Sequence, residues 1–232
     1  MVRMLLTRAG WSRALVFVLC IGMFWFGTFA FGGVDFERLL VSVTQRWGSG
    51  VTAKFNTWQS LILNNRATAD AERLKRVNDF FNRNIVFGDD TAVWFQEDYW
   101  ATPMETVGKG MGDCEDFVIA KYFTLKEMGV ESSKLRLIYV RAKTGSSDST
   151  ALQAHMVLAY YAKPDAEPVV LDNLIGDIRP ASRRPDLVPV FSFNSEGIFT
   201  GVSGKDAIPA AGTGRLSRWE DLLKRARAEG FE

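Results

Sequence analysis

Apolar residues recur at helical spacing from Val34 to about Arg66, first at Phe36, Leu39, Leu40, Val43 and Trp47, then at Phe55, Trp58, Leu61 and Ile62. Gly48-Ser49-Gly50 interrupts the stripe, so the segment predicts two helices. A third is predicted from about Ala69 to Asn84 on Leu74, Val77, Phe80 and Phe81, ending at the β-prone run Ile85-Val86-Phe87. Between Asp89 and Asp113 the periodicity lapses into an aromatic segment with Trp94, Phe95, Tyr99 and Trp100, then Pro103 and glycines at 108, 110 and 112. It predicts a loop lining a cleft. Helical spacing returns from Cys114 to Met128 on Phe117, Ala120, Phe123 and Met128, with Gly129 as its stop signal, so Cys114 opens a helix.

Beyond that helix the period becomes two and β-formers dominate: Leu135 to Val140, Met156 to Tyr161, Val169 to Leu171, Val190 to Phe193 and Ile198 to Val202. Ser203 to Gly214 is turn-rich, and Leu216, Trp219, Leu222, Leu223 and Ala226 predict an amphipathic helix near the C-terminus. Helices followed by mostly antiparallel strands define an α+β domain with the Cys114 helix packed on the sheet.

The N-terminus differs from all of this. Arg3, Arg8 and Arg13 precede an uncharged run from Ala14 to Gly33, the pattern of a secretory signal, and the run is also long enough to span a bilayer if retained. Residues 1–33 are thus expected to be a signal peptide or a membrane anchor. The remaining residues, 34–232, form the exported domain, with a core over about 70–200. With 28 basic and 27 acidic side chains the net charge is +1, which asks for neither nucleic acid nor an anionic surface.

Export changes the meaning of the cysteines. Cys20 lies in the apolar run, which leaves Cys114 as the sole thiol of the domain; an unpaired thiol in an oxidising compartment is either buried and inert or used for its reactivity. At a helix start it gains partial positive charge, and its own N–H is free to donate to an oxyanion. His155, the one histidine of the chain, is the candidate base, and Asp172, ending the strand Val169-Val170-Leu171, is placed to fix the imidazole tautomer. The alternative readings are a packed histidine and a turn-starting aspartate.

Asp113, Glu115 and Asp116 oppose ionisation of the thiol. One carboxylate at about 6 Å, with an effective dielectric near 20, disfavours the thiolate by roughly 3 kcal/mol before screening. A bound divalent cation such as calcium reverses that field; helix capping by Asp113, with Glu115 and Asp116 complementing the helix dipole, is the other reading.

Taken together, Gly112-Asp113-Cys114-Glu115-Asp116, Asp98-Tyr99-Trp100-Ala101-Thr102-Pro103 upstream, and Ala154-His155-Met156-Val157-Leu158 and Leu171-Asp172-Asn173 downstream resemble the bacterial transglutaminase-like cysteine proteinases over about Asp70 to Phe199. The resemblance implies a papain/transglutaminase-like fold, a Cys114, His155 and Asp172 triad, and calcium held around Asp113, Glu115 and Asp116. It further implies a periplasmic endopeptidase that cuts a large surface adhesin near its N-terminus at a di-alanine site, promoting adhesin release and biofilm dispersal, under an inhibitory inner-membrane cyclic di-GMP receptor. A transamidase or amidase using the same groups, and a silent calcium-binding docking module, are the competing functions. Pro209-Ala210-Ala211-Gly212 in the tail is either a flexible linker or a di-alanine self-recognition site.

Overall fold

The computed structural model describes residues 34–143, 151–200, 207–208 and 214–231. The apolar run before Val34 and the Pro209-Ala210-Ala211-Gly212 stretch lie outside the described residues. Three helices open the chain: α1 (Phe36–Trp47), α2 (Thr52–Asn65) and α3 (Asp70–Asn84). Asp35 starts α1 by accepting the Arg38 amide at 3.0 Å. Each helix buries one stripe, at Phe36, Leu39 and Val43, at Phe55, Trp58 and Ile62, and at Leu74, Val77 and Phe81.

The aromatic stretch after α3 is more ordered than a loop. It holds strand β1 (Val86–Phe87), helix α4 (Asp90–Val93), helix α5 (Pro103–Lys109) and strand β2 (Met111–Gly112), which pairs parallel with β1. The start of α5 is written in the sequence: Thr102 accepts the Glu105 amide, the Glu105 side chain accepts the Thr102 amide, and Pro103 occupies the first turn.

Helix α6 (Cys114–Glu127) departs from the predicted single apolar stripe, because it is buried on every side from Asp116 to Leu125. It packs against α3 and α5 on one side and against β3 (Leu135–Lys143) and β4 (Leu152–Tyr160) on the other. Polar residues in this buried helix are accordingly paired: Thr124 Oγ1 accepts from Trp58 Nε1 at 2.9 Å, and Lys121 Nζ donates to Asn78 Oδ1 at 2.8 Å. A helix so enclosed holds its first residue, Cys114, at a fixed point.

The remaining strands are β5 (Val169–Leu171), β6 (Arg179–Pro180), β7 (Leu187–Asn194), β8 (Gly197–Thr200) and β9 (Ala207–Ile208). They form one sheet in the order β6-β5-β4-β3-β7-β8-β9, with every neighbouring pair antiparallel. Strands β3 and β4 are longer than the sequence pattern indicates, and β4 begins before His155, which pairs with Val140. The main core lies between the helices and one sheet face; Ile138, Val140, Val157, Ala159, Tyr161 and Val170 form a second cluster. Each large side chain buried there contributes about 1.5–3 kcal/mol of hydrophobic stabilisation.

Helix α7 (Gly214–Ala228) is integral to the fold, since Trp219, Leu222, Ala226 and the following Phe231 are buried. Trp219 packs its ring against Trp100, Tyr122, Phe123 and Phe193. No helix among the described residues is long and apolar enough to cross a membrane.

Candidate active and metal site

Pairing of β4 with β5 stops at Leu158 and Leu171, and the chain leaves the ladder at Asp172. There the buried Asp172 carboxylate meets the buried imidazole of His155, Oδ1 to Nε2, at 2.8 Å. The same oxygen accepts the Leu174 amide at 3.0 Å, and Oδ2 accepts from Arg184 Nη2 at 2.7 Å. Burial alone raises this carboxyl, but the bonds from His155, Leu174 and Arg184 outweigh it and bring the pKa down to about 2. An ionised Asp172 accepts a proton-bearing Nε2, so the neutral ring carries its lone pair on Nδ1, the tautomer of a general base. Arg184 had no motif to announce it; only the fold brings it behind Asp172.

Cys114 is the first residue of α6, half-buried, and the Met156 amide beside its sulfur favours the anion. Met156 follows His155 on β4, so thiol and imidazole belong to adjoining parts of helix and sheet. The thiol proton, however, is directed to Glu115 Oε2 at 2.6 Å, while Tyr139 Oη donates to Oε1 of the same carboxylate at 3.4 Å. Burial first and Glu115 second push the thiol pKa far upward.

Among the described residues, the acidic cluster is composed differently from the sequence expectation. Asp90, Asp113 and Asp116 bring carboxylate oxygens within 4.8 Å of one another. Glu115, expected among the ligands, bonds the thiol and Tyr139, and Asp90 at the start of α4 lies with Asp113 and Asp116. Asp113 also caps α6, its Oδ1 accepting the Glu115 and Asp116 amides at 3.2 and 3.4 Å, so capping and clustering coexist. Asp116 is pinned by the Ala101 amide at 2.8 Å and Trp94 Nε1 at 3.1 Å, and Asp90 by the Tyr99 amide at 2.6 Å.

Gly112, the last glycine of the predicted loop, serves this cluster. A Cβ there would lie 2.5 Å from Asp116 Oδ2, so glycine is what lets the carboxylate fold back over β2. Tyr99 and Trp100 are supports: the Tyr99 hydroxyl donates to Glu105 Oε1 at 2.8 Å, and the buried Trp100 ring stacks on Phe193.

Three features of this cluster fit a hard divalent cation. Its donors are carboxylate oxygens, the preferred ligands of calcium. Burial, reinforced by the neighbouring carboxylates, holds the acids high in the absence of a cation: Asp113 at about 9, Asp116 at about 8 and Asp90 at about 6. The buried Asp90 Oδ1 has no hydrogen-bond partner.

An α+β domain that sets a cysteine at the start of a central helix, against a sheet carrying a histidine–aspartate pair, is the layout of the papain and transglutaminase-like cysteine enzymes. The sequence profile of the bacterial transglutaminase-like cysteine proteinases (BTLCP) matches residues 56–185, and the chain belongs to that family. Among solved structures, it is similar to Legionella pneumophila LapG at 37% identity, covering 83% of this chain and 98% of that one, with a TM-score of 0.67. EGTA-treated Legionella LapG matches at 36% identity over 83% and 98% of the two chains (TM-score 0.70). Calcium-bound Legionella LapG matches at 37% over 83% and 99% (TM-score 0.67). No curated protein sequence matches the chain.

Proposed function

We propose that this proteinase is a calcium-dependent endopeptidase in which Cys114 is the nucleophile, His155 the general base and Asp172 the group that orients the imidazole. The observation that carries the reading is the His155–Asp172 bond of 2.8 Å in a chain whose domain thiol opens the helix packed on the same strand. In the first step the thiol proton passes to His155 Nδ1 and sulfur attacks the scissile carbonyl, while the Cys114 amide donates to the developing oxyanion. His155 then protonates the departing amine, and the C–N bond breaks to leave a thioester on Cys114. In the second half, water gives a proton to His155 as its oxygen adds to the thioester; collapse restores the thiol and releases the new carboxyl terminus.

Glu115 works against the first step by holding the thiol proton. Calcium on Asp90, Asp113 and Asp116, when bound, supplies positive charge beside the nucleophile and favours the thiolate.

The substrate belonging to this reading is a large surface adhesin, cut in its N-terminal region at a di-alanine site in the periplasm, so that adhesin release promotes biofilm dispersal. An inner-membrane cyclic di-GMP receptor is the proposed restraint, and the N-terminal apolar segment engages the membrane at least during export. These assignments rest on the family resemblance of the motifs.

The test is incubation of a purified adhesin N-terminal region with the soluble domain, its Cys114→Ala and His155→Ala variants, and wild type with a chelator. Two new fragments with wild type alone support the proposal. Cleavage by Cys114→Ala would refute the nucleophile, and undiminished cleavage with chelator would return the aspartates to structural roles.

A further inference from the structure

The segment Tyr99-Trp100-Ala101-Thr102 is neither helix nor sheet, and its peptide groups alternate between two neighbours. On one side the amides of Tyr99 and Ala101 donate to Asp90 Oδ2 and Asp116 Oδ1, at 2.6 and 2.8 Å. On the other side the Trp100 carbonyl accepts from Arg225 Nη2 of α7 at 2.7 Å. Arg225 Nη1 reaches the Tyr99 hydroxyl at 3.1 Å and Glu105 Oε2 at 2.7 Å, and the guanidinium lies over the Tyr99 ring. Thr102 Oγ1 donates to Glu229 Oε1, just past α7, at 2.8 Å.

One short strip of backbone is thus held to the aspartate cluster by its amides and to the C-terminal helix by a carbonyl and two side chains. We infer that α7 is a latch on the cation site, with Arg225 the positioning residue that sets the Tyr99–Thr102 segment and, through it, Asp90 and Asp116. Helix α7 lies outside the residues 56–185 matched by the family profile, so the latch is an addition to that span. The inference rests on the cation site proposed above.

Two physical features make Arg225 the hinge of this coupling. Its planar fork meets the carbonyl of Trp100 and the carboxylate of Glu105 together, a geometry that lysine cannot copy. Glu105 is nearly completely buried and also takes Arg46 Nη1 of α1 at 2.9 Å, so Arg225 pulls against a fixed anchor. Linkage then requires reciprocity: a docked α7 tightens cation binding, and a bound cation tightens the docking of α7.

The experiment measures the calcium Kd by competition with a chromophoric chelator, for the folded wild-type domain, Arg225→Gln, Arg225→Lys and the exposed control Arg227→Ala. Far-UV circular dichroism is recorded at the same temperature. Arg225→Gln is expected to weaken binding about 5-fold or more, with Arg225→Lys intermediate and Arg227→Ala unchanged. Hydrogen exchange on unmodified protein supplies a readout independent of any variant's folding: saturating calcium slows exchange of the α7 amides. A Kd for Arg225→Gln equal to wild type, or α7 exchange indifferent to calcium, overturns the latch while leaving the cation site standing. No calcium binding by wild type overturns the cation site and the latch with it.

Discussion

Arg184 holds the second oxygen of Asp172 at 2.7 Å, with both side chains shielded from water. His155 therefore meets a carboxylate whose charge and orientation are both fixed. Arg184→Met leaves that carboxylate buried without its counter-charge, a loss of roughly 3–5 kcal/mol in unfolding free energy. The depressed pKa of Asp172, about 2, means that its stabilisation is present above the ordinary carboxylate range and is lost as pH falls toward that value. In Arg184→Met the folded value moves up toward the ordinary one, so less stabilisation remains to be lost and the acid limb is shallower. Urea unfolding at several pH values reads it, and an unchanged acid limb sinks the expectation.

Glu115 accepts the thiol proton, so in the proposed mechanism its charge restrains Cys114. In chelator-treated protein, Glu115→Gln should raise the iodoacetamide alkylation rate of Cys114 by about tenfold, the equivalent of one pKa unit. Peptide mapping counts Cys20 separately where it is retained. A rate equal to wild type would mean that the thiol is not held by this carboxylate.

Cation binding should expel protons. Asp113 at about 9 and Asp116 at about 8 are protonated at neutral pH without a cation, and calcium must displace those protons. Raised carboxyl values also mean that the folded state binds more protons than the unfolded one. Stability of the calcium-free protein therefore falls as pH rises from the ordinary carboxylate range through about 8 to 9. Calorimetric calcium titrations in Hepes and in Tris at pH 7 should give enthalpies that differ with the ionisation heat of the buffer. Identical enthalpies would exclude the proton exchange.

Gly112→Ala should injure the cation site more than the fold. The added Cβ would meet Asp116 Oδ2 at 2.5 Å and Asp116 Cβ at 2.6 Å, so the carboxylate has to move. Calcium affinity should drop by about tenfold or more, with a stability loss of about 1–3 kcal/mol from overpacking. A Kd equal to wild type in a folded Gly112→Ala protein counts against a role for Asp116.

Cys114, His155 and Asp172 were readable because each sits where a local pattern changes: the start of a helix, the body of a strand and the end of another. Helix α5 was also readable in principle, since Thr102, Pro103 and Glu105 spell a capping box that the surrounding aromatics and glycines obscured. Asp90 and Arg184 were not. Asp90 joins Asp113 and Asp116 only because β1 pairs with β2, and Arg184 reaches Asp172 only through the turn after β6. The sequence marked α7 as amphipathic but gave no sign of its hold on Trp100, because that contact depends on a guanidinium meeting a distant carbonyl.

In the proposed mechanism the nucleophile belongs to a helix and the base to the sheet packed on it, so neither layer alone contains a working pair. On that proposal a half-folded chain lacks the pair, and proteolytic power arrives only when the layers close. For the same reason, slight separation of the two layers silences the enzyme before either has lost its hydrogen-bonded backbone.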